Sequence, residues 1–211
     1  MAIVSSIQEN RGLVRISLDG MEWLKLCKKH FNLLPLHVGD AVDPEKYIDR
    51  MAALQAADCY EAALTMLDQA AQTSGNLRSK LMRRGFVSPA ADASVDRLVE
   101  NGLVDDARYA QRVAQAQLSK AVGAYAVRRK LQSRRLPKDA IDAVMEDFDS
   151  EQQAQACRQA AEKLWRKYAG LPPREGRAKL SQALARRGFG WEAIHSAVEA
   201  LSSENEPDDW Y

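Results

Sequence analysis

Apolar residues in this chain follow one pattern written three times. The segment Leu81-Met82-Arg83-Arg84-Gly85-Phe86 returns as Leu184-Ala185-Arg186-Arg187-Gly188-Phe189, and a worn copy, Leu131-Gln132-Ser133-Arg134-Arg135-Leu136, lies between them. Four, five and twelve residues beyond Phe86, Leu136 and Phe189 come Ala90, Ala91 and Leu98, then Ala140, Ile141 and Phe148, then Ala193, Ile194 and Leu201. The copies stand 50 and 53 residues apart, room for about three short helices per unit. This predicts a mainly α protein, an elongated tandem array of three three-helix repeats with a small N-terminal strand-containing segment. The boundaries that follow are a hairpin-containing cap at 1–42, a linking helix at 43–59, three-helix repeats at 60–102, 103–148 and 149–202, and an acidic disordered tail at 203–211.

Local signals fill in the elements. Ile3 to Ile7 and Leu13 to Leu18 are short β-branched runs around Glu9-Asn10-Arg11-Gly12, which reads as a hairpin turning at Asn10 to Gly12. Asp19-Gly20 supplies a second turn, after which Met21 to Cys27 fits a third strand or the start of a helix. Asp43-Pro44 is a helix start, with Tyr47, Ile48, Met51 and Leu54 expected to face inward. Tyr60, Ala63, Leu64 and Leu67 form an amphipathic stripe, Thr73 can cap the next helix, and Gly85 stands where a helix end needs a left-handed residue. The second repeat starts with Asp105 as N-cap and packs Tyr109, Ala110, Val113 and Leu118. Its middle helix, Val122 to Arg135, has Val127 and Leu131 on one side and a basic band on the rest. Phe86, Trp165 and Trp191 read as core residues in preference to base-stacking platforms.

Composition and charge narrow the class. Apolar residues make up 46% of the chain, as in packed proteins generally, and no uncharged apolar stretch approaches ~20 residues. Residues Met1 to Glu9 lack the pattern of a secretory leader, and Cys27, Cys59 and Cys157 are odd in number and far apart, so a reducing cytoplasmic location is expected. The net charge of +1 hides segregation: from Arg78 to Arg135 thirteen Lys/Arg oppose five acids, whereas from Leu136 to Glu162 two oppose seven. Such alternation steers charged partners even when the whole is nearly neutral.

The segments Leu77 to Phe86, Asn101 to Ala110 (Asn-Gly-Leu-Val-Asp-Asp-Ala-Arg-Tyr-Ala), Gly123 with Leu131, and Arg186-Arg187-Gly188-Phe189 resemble the RecX family of bacterial regulators of the RecA recombinase. The likeness covers roughly Ala62 to Leu201. It implies a protein that binds the RecA-DNA filament, lies along its groove across adjacent subunits, and restrains filament growth with the linked ATPase, strand-exchange and co-protease activities. That is a role in recombination, DNA repair and the SOS response. Three departures stand out. Asn76 replaces an acid before Leu77, which weakens a capping box with Thr73; Gln69 and Ala70 replace arginines; and Arg135 takes the place of Gly85 and Gly188. An Arg in a left-handed conformation costs ~1 kcal/mol or more, so the helix before Arg135 is expected to end differently.

An enzyme is not expected. His30, His37 and His195 sit in unrelated segments, and there is no phosphate-cradling Gly-rich loop or nucleophile elbow. Cys27, His30, His37 and Cys59 match no standard zinc spacing, and Asp105-Asp106 reads as helix-start charge; neither metal nor cofactor is expected. Two binding classes remain: a recombinase regulator acting as a monomer, with DNA as a weak, single- or double-stranded secondary partner, and a stand-alone helical nucleic-acid-binding module. The candidate DNA- or filament-binding residues are Arg83, Arg84, Arg128, Arg129, Lys130, Arg134, Arg135, Arg186 and Arg187, and the candidate acids for a protein partner are Asp142, Glu146 and Asp147. A pure DNA binder gains nothing from those acids, which favours the regulator.

Overall fold

In the computed structural model, which describes residues 1–118, 120–148 and 150–203, the chain opens with a strand meander. β1 (Ala2–Asn10), β2 (Leu13–Leu18) and β3 (Met21–Cys27) join with β4 (Ala41–Val42) in an antiparallel sheet of order β3-β2-β1-β4. Arg11 and Gly12 at the first turn, and Asp19 and Gly20 at the second, all have positive φ, the conformation that lets a two-residue turn match the twist of its strands. The second turn therefore makes Met21 to Cys27 a strand. A short helix α1 (Lys28–Phe31) follows.

The next helix runs on from the linking segment into the first repeat. α2 (Pro44–Gln69) is continuous for 26 residues, so the expected linking helix at 43–59 and the first repeat helix from Tyr60 are one element. The chain has no Gly or Pro between Glu45 and Gln69 to break it. Asp43 caps it, its Oδ1 accepting from the Lys46 N–H at 3.3 Å. Its buried stripe is Tyr47, Met51, Gln55, Cys59, Ala63 and Met66. Leu54, expected to face inward, falls off that stripe and is 44% exposed. α3 (Ser74–Arg83), capped by Thr73 through the Asn76 N–H, and α4 (Ser88–Glu100) complete the repeat. Val4, Ile16 and Leu26 of the sheet share one core with Met51, Leu77, Leu81 and Leu98 of the helices. The cap and the first repeat are thus a single compact unit, Met1–Asp105.

The second unit, from Asp106 onward, holds the other two repeats. These are α5 (Asp106–Leu118), α6 (Ala124–Ser133) and α7 (Lys138–Glu146), then α8 (Ser150–Trp165), α9 (Pro173–Arg186) and α10 (Trp191–Ser203). Equivalent positions have equivalent burial: Leu81, Leu131 and Leu184 are fully enclosed, as are Leu77, Val127 and Leu180 one turn earlier. Phe86, Leu136 and Phe189 each fold back over that site, followed by buried Ala91, Ile141 and Ile194. Trp191 departs from expectation. It is 74% exposed, because it stands in the outward register that Ser88 and Lys138 occupy in the other repeats; Trp165 is half-buried against the third-repeat core. The Leu118 side chain and residues 204–211, including most of the expected acidic tail, lie outside the described residues. Among the described residues no helix is long and apolar enough to cross a membrane.

All three middle helices end alike. The N–H groups of Phe86, Leu136 and Phe189 donate to the carbonyls of Leu81, Leu131 and Leu184 at 3.3, 3.4 and 3.4 Å, the closure that follows a left-handed residue. Gly85 and Gly188 have φ of 90° and 83°, and Arg135 has 55°. The expectation of a different end at Arg135 is therefore corrected: the conformation is kept with an Arg. What sets the glycines apart is contact. A Cβ on Gly85 would stand 2.7 Å from the Leu26 carbonyl carbon and closer still to the Cys27 nitrogen, and one on Gly188 would stand 2.9 Å from Ala126 Cα. Arg135 is exposed.

Gly85→Ala and Gly188→Ala should each lose about 3 kcal/mol or more in urea unfolding, since both a left-handed conformation and a backbone contact are violated. Arg135→Gly should stay within about 1 kcal/mol of the parent, because relieved strain offsets added unfolded-state entropy.

Candidate nucleic-acid and partner interface

Each arginine pair of the repeated signature sits at a helix C-terminus. Arg83 and Arg84 at α3, Arg134 and Arg135 at α6, and Arg186 at α9 are exposed, while Arg187 is half-buried. Cations there offset the negative end of the helix dipole, which gives each pair a local role besides any binding. Arg83 and Arg84 also line a cleft of about 310 Å³ with Met66, Gln69 and Lys80.

The α6 band divides three ways. Arg128 turns towards α7, where its Nη1 donates to Asp142 Oδ1 at 2.8 Å. The first repeat has the same ion pair at the same place, Arg78 to Asp92, with Ser88 Oγ donating to the other Asp92 oxygen at 3.1 Å. The third repeat has Ser181 and His195 there instead. Arg128 and Asp142, expected on opposing interfaces, are thus partners that brace the middle helix against the one after it. Arg129 faces outward. Lys130 and Arg134 turn the other way and line a groove of about 320 Å³ with Tyr109, Arg112, Val113, Ala116 and Gln117 of α5. Among the described residues no carboxylate lines that groove, and the Arg112 guanidinium lies 5.7 Å from the Tyr109 ring centroid. Sequence reasoning missed Tyr109 and Arg112 as site residues, although Tyr109, Arg112, Val113 and Ala116 at i, i+3, i+4 and i+7 announce one helix face. Glu146 and Asp147 are exposed at the far end of α7.

Nucleophiles and possible metal ligands are committed elsewhere. Burial pushes the Cys157 thiol up to about 11 and raises that of Cys59, the opposite of an activated thiolate. His30 is buried with Nε2 2.8 Å from Asp58 Oδ2, and Lys29 reaches the same oxygen; these contacts, Lys29 first, hold the Asp58 carboxyl below its usual range. His37 is exposed beside Asp40. Among the described residues no three His, Cys, Asp or Glu side chains are grouped to hold a metal ion.

Comparison with known proteins places this arrangement. The sequence profile of RecX, first three-helix domain, matches residues 59–98, and that of RecX, third three-helix domain, matches residues 151–198. The regulatory protein RecX of Trichlorobacter lovleyi is 31% identical over 150 residues, which cover 69% of this chain and 96% of that protein. The chain belongs to the RecX family. The regulatory protein RecX of Chlorobaculum tepidum is 34% identical over 143 residues, covering 67% of this chain and 87% of that one. A crystal structure of regulatory protein RecX superposes with a TM-score of 0.62 at 25% identity, over 94% of this chain and 100% of the other. The profile matches fall on the C-terminal part of α2 through α4 and on α8 through α10.

The Arg128–Asp142 pair is about two-fifths exposed on each side, so solvent screens it. A double-mutant cycle of Arg128→Ala and Asp142→Ala should give a coupling of about 0.5–1 kcal/mol, measured by denaturation. Zero coupling would remove the bracing role.

Proposed function

We propose that this chain binds the RecA recombinase and its DNA filament and restrains filament growth, together with the ATPase, strand-exchange and co-protease activities linked to it. It acts as a monomer, as a regulator and not as a catalyst, in the cytoplasm, in recombination and the SOS response. The observation that carries this reading is the separation of charge in a chain of the RecX family. A cationic groove lined by Arg112, Lys130 and Arg134 lies between α5 and α6, while Glu146 and Asp147 stand exposed at the end of α7. Phosphate favours the first surface and repels the second, so a partner that uses both is a protein carrying DNA. Arg129, Lys130, Arg134 and Arg135, with the signature pairs Arg83, Arg84, Arg186 and Arg187, supply cations to the filament. Glu146 and Asp147 face basic patches of the recombinase, and Asp142 contributes by holding Arg128.

Inhibition should appear below one regulator per recombinase subunit. The 26 residues of α2 alone are about 39 Å long, so one molecule engages more than one subunit.

An ATPase titration with purified RecA and single-stranded DNA tests this. Substoichiometric inhibition is expected, and reversing charge at Glu146 and Asp147 should weaken inhibition more than binding to bare DNA. No inhibition at stoichiometric excess would leave the stand-alone nucleic-acid-binding module as the better reading.

A further inference from the structure

Two aromatic rings on the second unit have no place in its core. Trp191 is 74% and Tyr125 69% exposed, and they open different helices, α10 and α6. The glycine contact brings them to one edge. The Tyr125 N–H donates to the Gly188 carbonyl at 3.1 Å, and a Cβ on Gly190 would stand 3.6 Å from Tyr125 Cε2. The Tyr125 ring therefore lies against the residue that precedes Trp191. The His195 ring is 5.6 Å from that of Trp191, tilted by 50°.

From this edge α6 leads to the cationic groove. Arg129, four residues beyond Tyr125, projects from the same outer face. Lys130 and Arg134 then turn to meet Arg112 and Tyr109. Tyr125 and Arg134 are separated by about 14 Å along the helix axis, the reach of a few nucleotides. Two carboxylates stand at the aromatic end, where Glu192 follows Trp191 and Glu199 lies 3.2 Å from His195. That end offers ring faces for stacking, and phosphate neutralisation falls to the cations further along α6.

We propose that this edge of the second unit is a path for single-stranded nucleic acid, with bases stacked on Trp191 and Tyr125 and phosphates neutralised by Arg129, Lys130 and Arg112. The proposal rests on the DNA contact of the reading above and specifies its ligand. A groove lined by Arg112 and Lys130 selects a polyanion, and exposed rings beside it select one that carries flat apolar groups. An unpaired strand supplies both. A duplex does not, because its base faces are already covered by stacking.

The test is fluorescence anisotropy of the full chain, without recombinase, against a short labelled oligothymidylate and an abasic strand of the same length. The parent should bind the oligothymidylate about tenfold tighter than the abasic strand. The double variant W191A/Y125A should bind both equally, with an unchanged salt slope, and W191F/Y125F should restore the preference. R112A/K130A should keep the preference but lower the salt slope by about 0.7 per lost contact. Equal binding of the two strands by the parent, or a preference that survives in W191A/Y125A, overturns the proposal. So does a W191A/Y125A variant that binds both strands as the parent does yet loses its grip on recombinase filaments, since the rings then contact protein. A chain that shows the expected base preference but leaves RecA ATPase untouched overturns the regulator reading alone. Thermal melts of the variants establish that substitution at these exposed positions leaves the fold intact.

Discussion

Where a helix end must press its backbone against another backbone, no side chain fits, and Gly85 and Gly188 meet that condition in the two units. At Gly85 the carbonyl accepts from the Cys27 N–H at 3.4 Å and from Gln55 Nε2 at 3.0 Å, while Gln55 Oε1 accepts from the Val87 N–H at 2.7 Å. One buried side chain from α2 thereby satisfies both sides of the turn between α3 and α4, and the sheet closes on the same point. At Gly188 the partner is the start of α6: the Gly123 N–H donates to the Arg187 carbonyl at 3.0 Å, and Gln153 Oε1 accepts from the Ala124 N–H at 2.9 Å. Orphan donors at a helix N-terminus need such acceptors when they are covered. Sheet and repeat in one unit, and the second and third repeats in the other, thus hang on contacts that a single methyl group would push apart.

Charge is arranged around those contacts in two grades. Arg78 with Asp92, and Arg128 with Asp142, face inward between consecutive helices and hold them in register. Lys130, Arg129 and Arg112 lie outside that bracing and present a field to whatever approaches. Net charge cannot separate these grades, because a braced Arg and an outward Arg count the same. Position relative to the buried Leu131 does separate them, since three residues before it points to α7 and one before it points to α5.

The repeat was legible in the sequence because burial recurs at fixed offsets from Leu81, Leu131 and Leu184, and the caps at Asp43 and Thr73 were legible because their hydrogen bonds are local. What escaped depended on neighbours distant in the chain. Gln55 is fully buried at a position where composition favours Leu54, since only the helix phase and the turn at Gly85 make a polar side chain useful there. Arg135 was expected to change its helix end because a left-handed Arg is strained, yet the cost is modest and nothing presses on it. The bulk of Trp191 suggested core, whereas its register, shared with Ser88 and Lys138, decided for solvent. The groove of Tyr109 and Arg112 with Lys130 and Arg134 needed two helices to be placed side by side, and a single helix pattern carries only half of it.

The separation of the contacting glycines along the chain also sets an order of assembly during synthesis. Gly85, Cys27 and Gln55 all belong to the first unit, which has everything it needs before the second begins to emerge. Gly188 follows Gly123 by 65 residues, and at a translation rate of about 5–20 residues per second that is roughly 3–13 s. Through that interval the start of α6 has no backbone to press against, and the edge that will carry Tyr125 and Trp191 does not yet exist. A nascent chain therefore finishes its first unit well before the surface proposed to hold an unpaired strand can form.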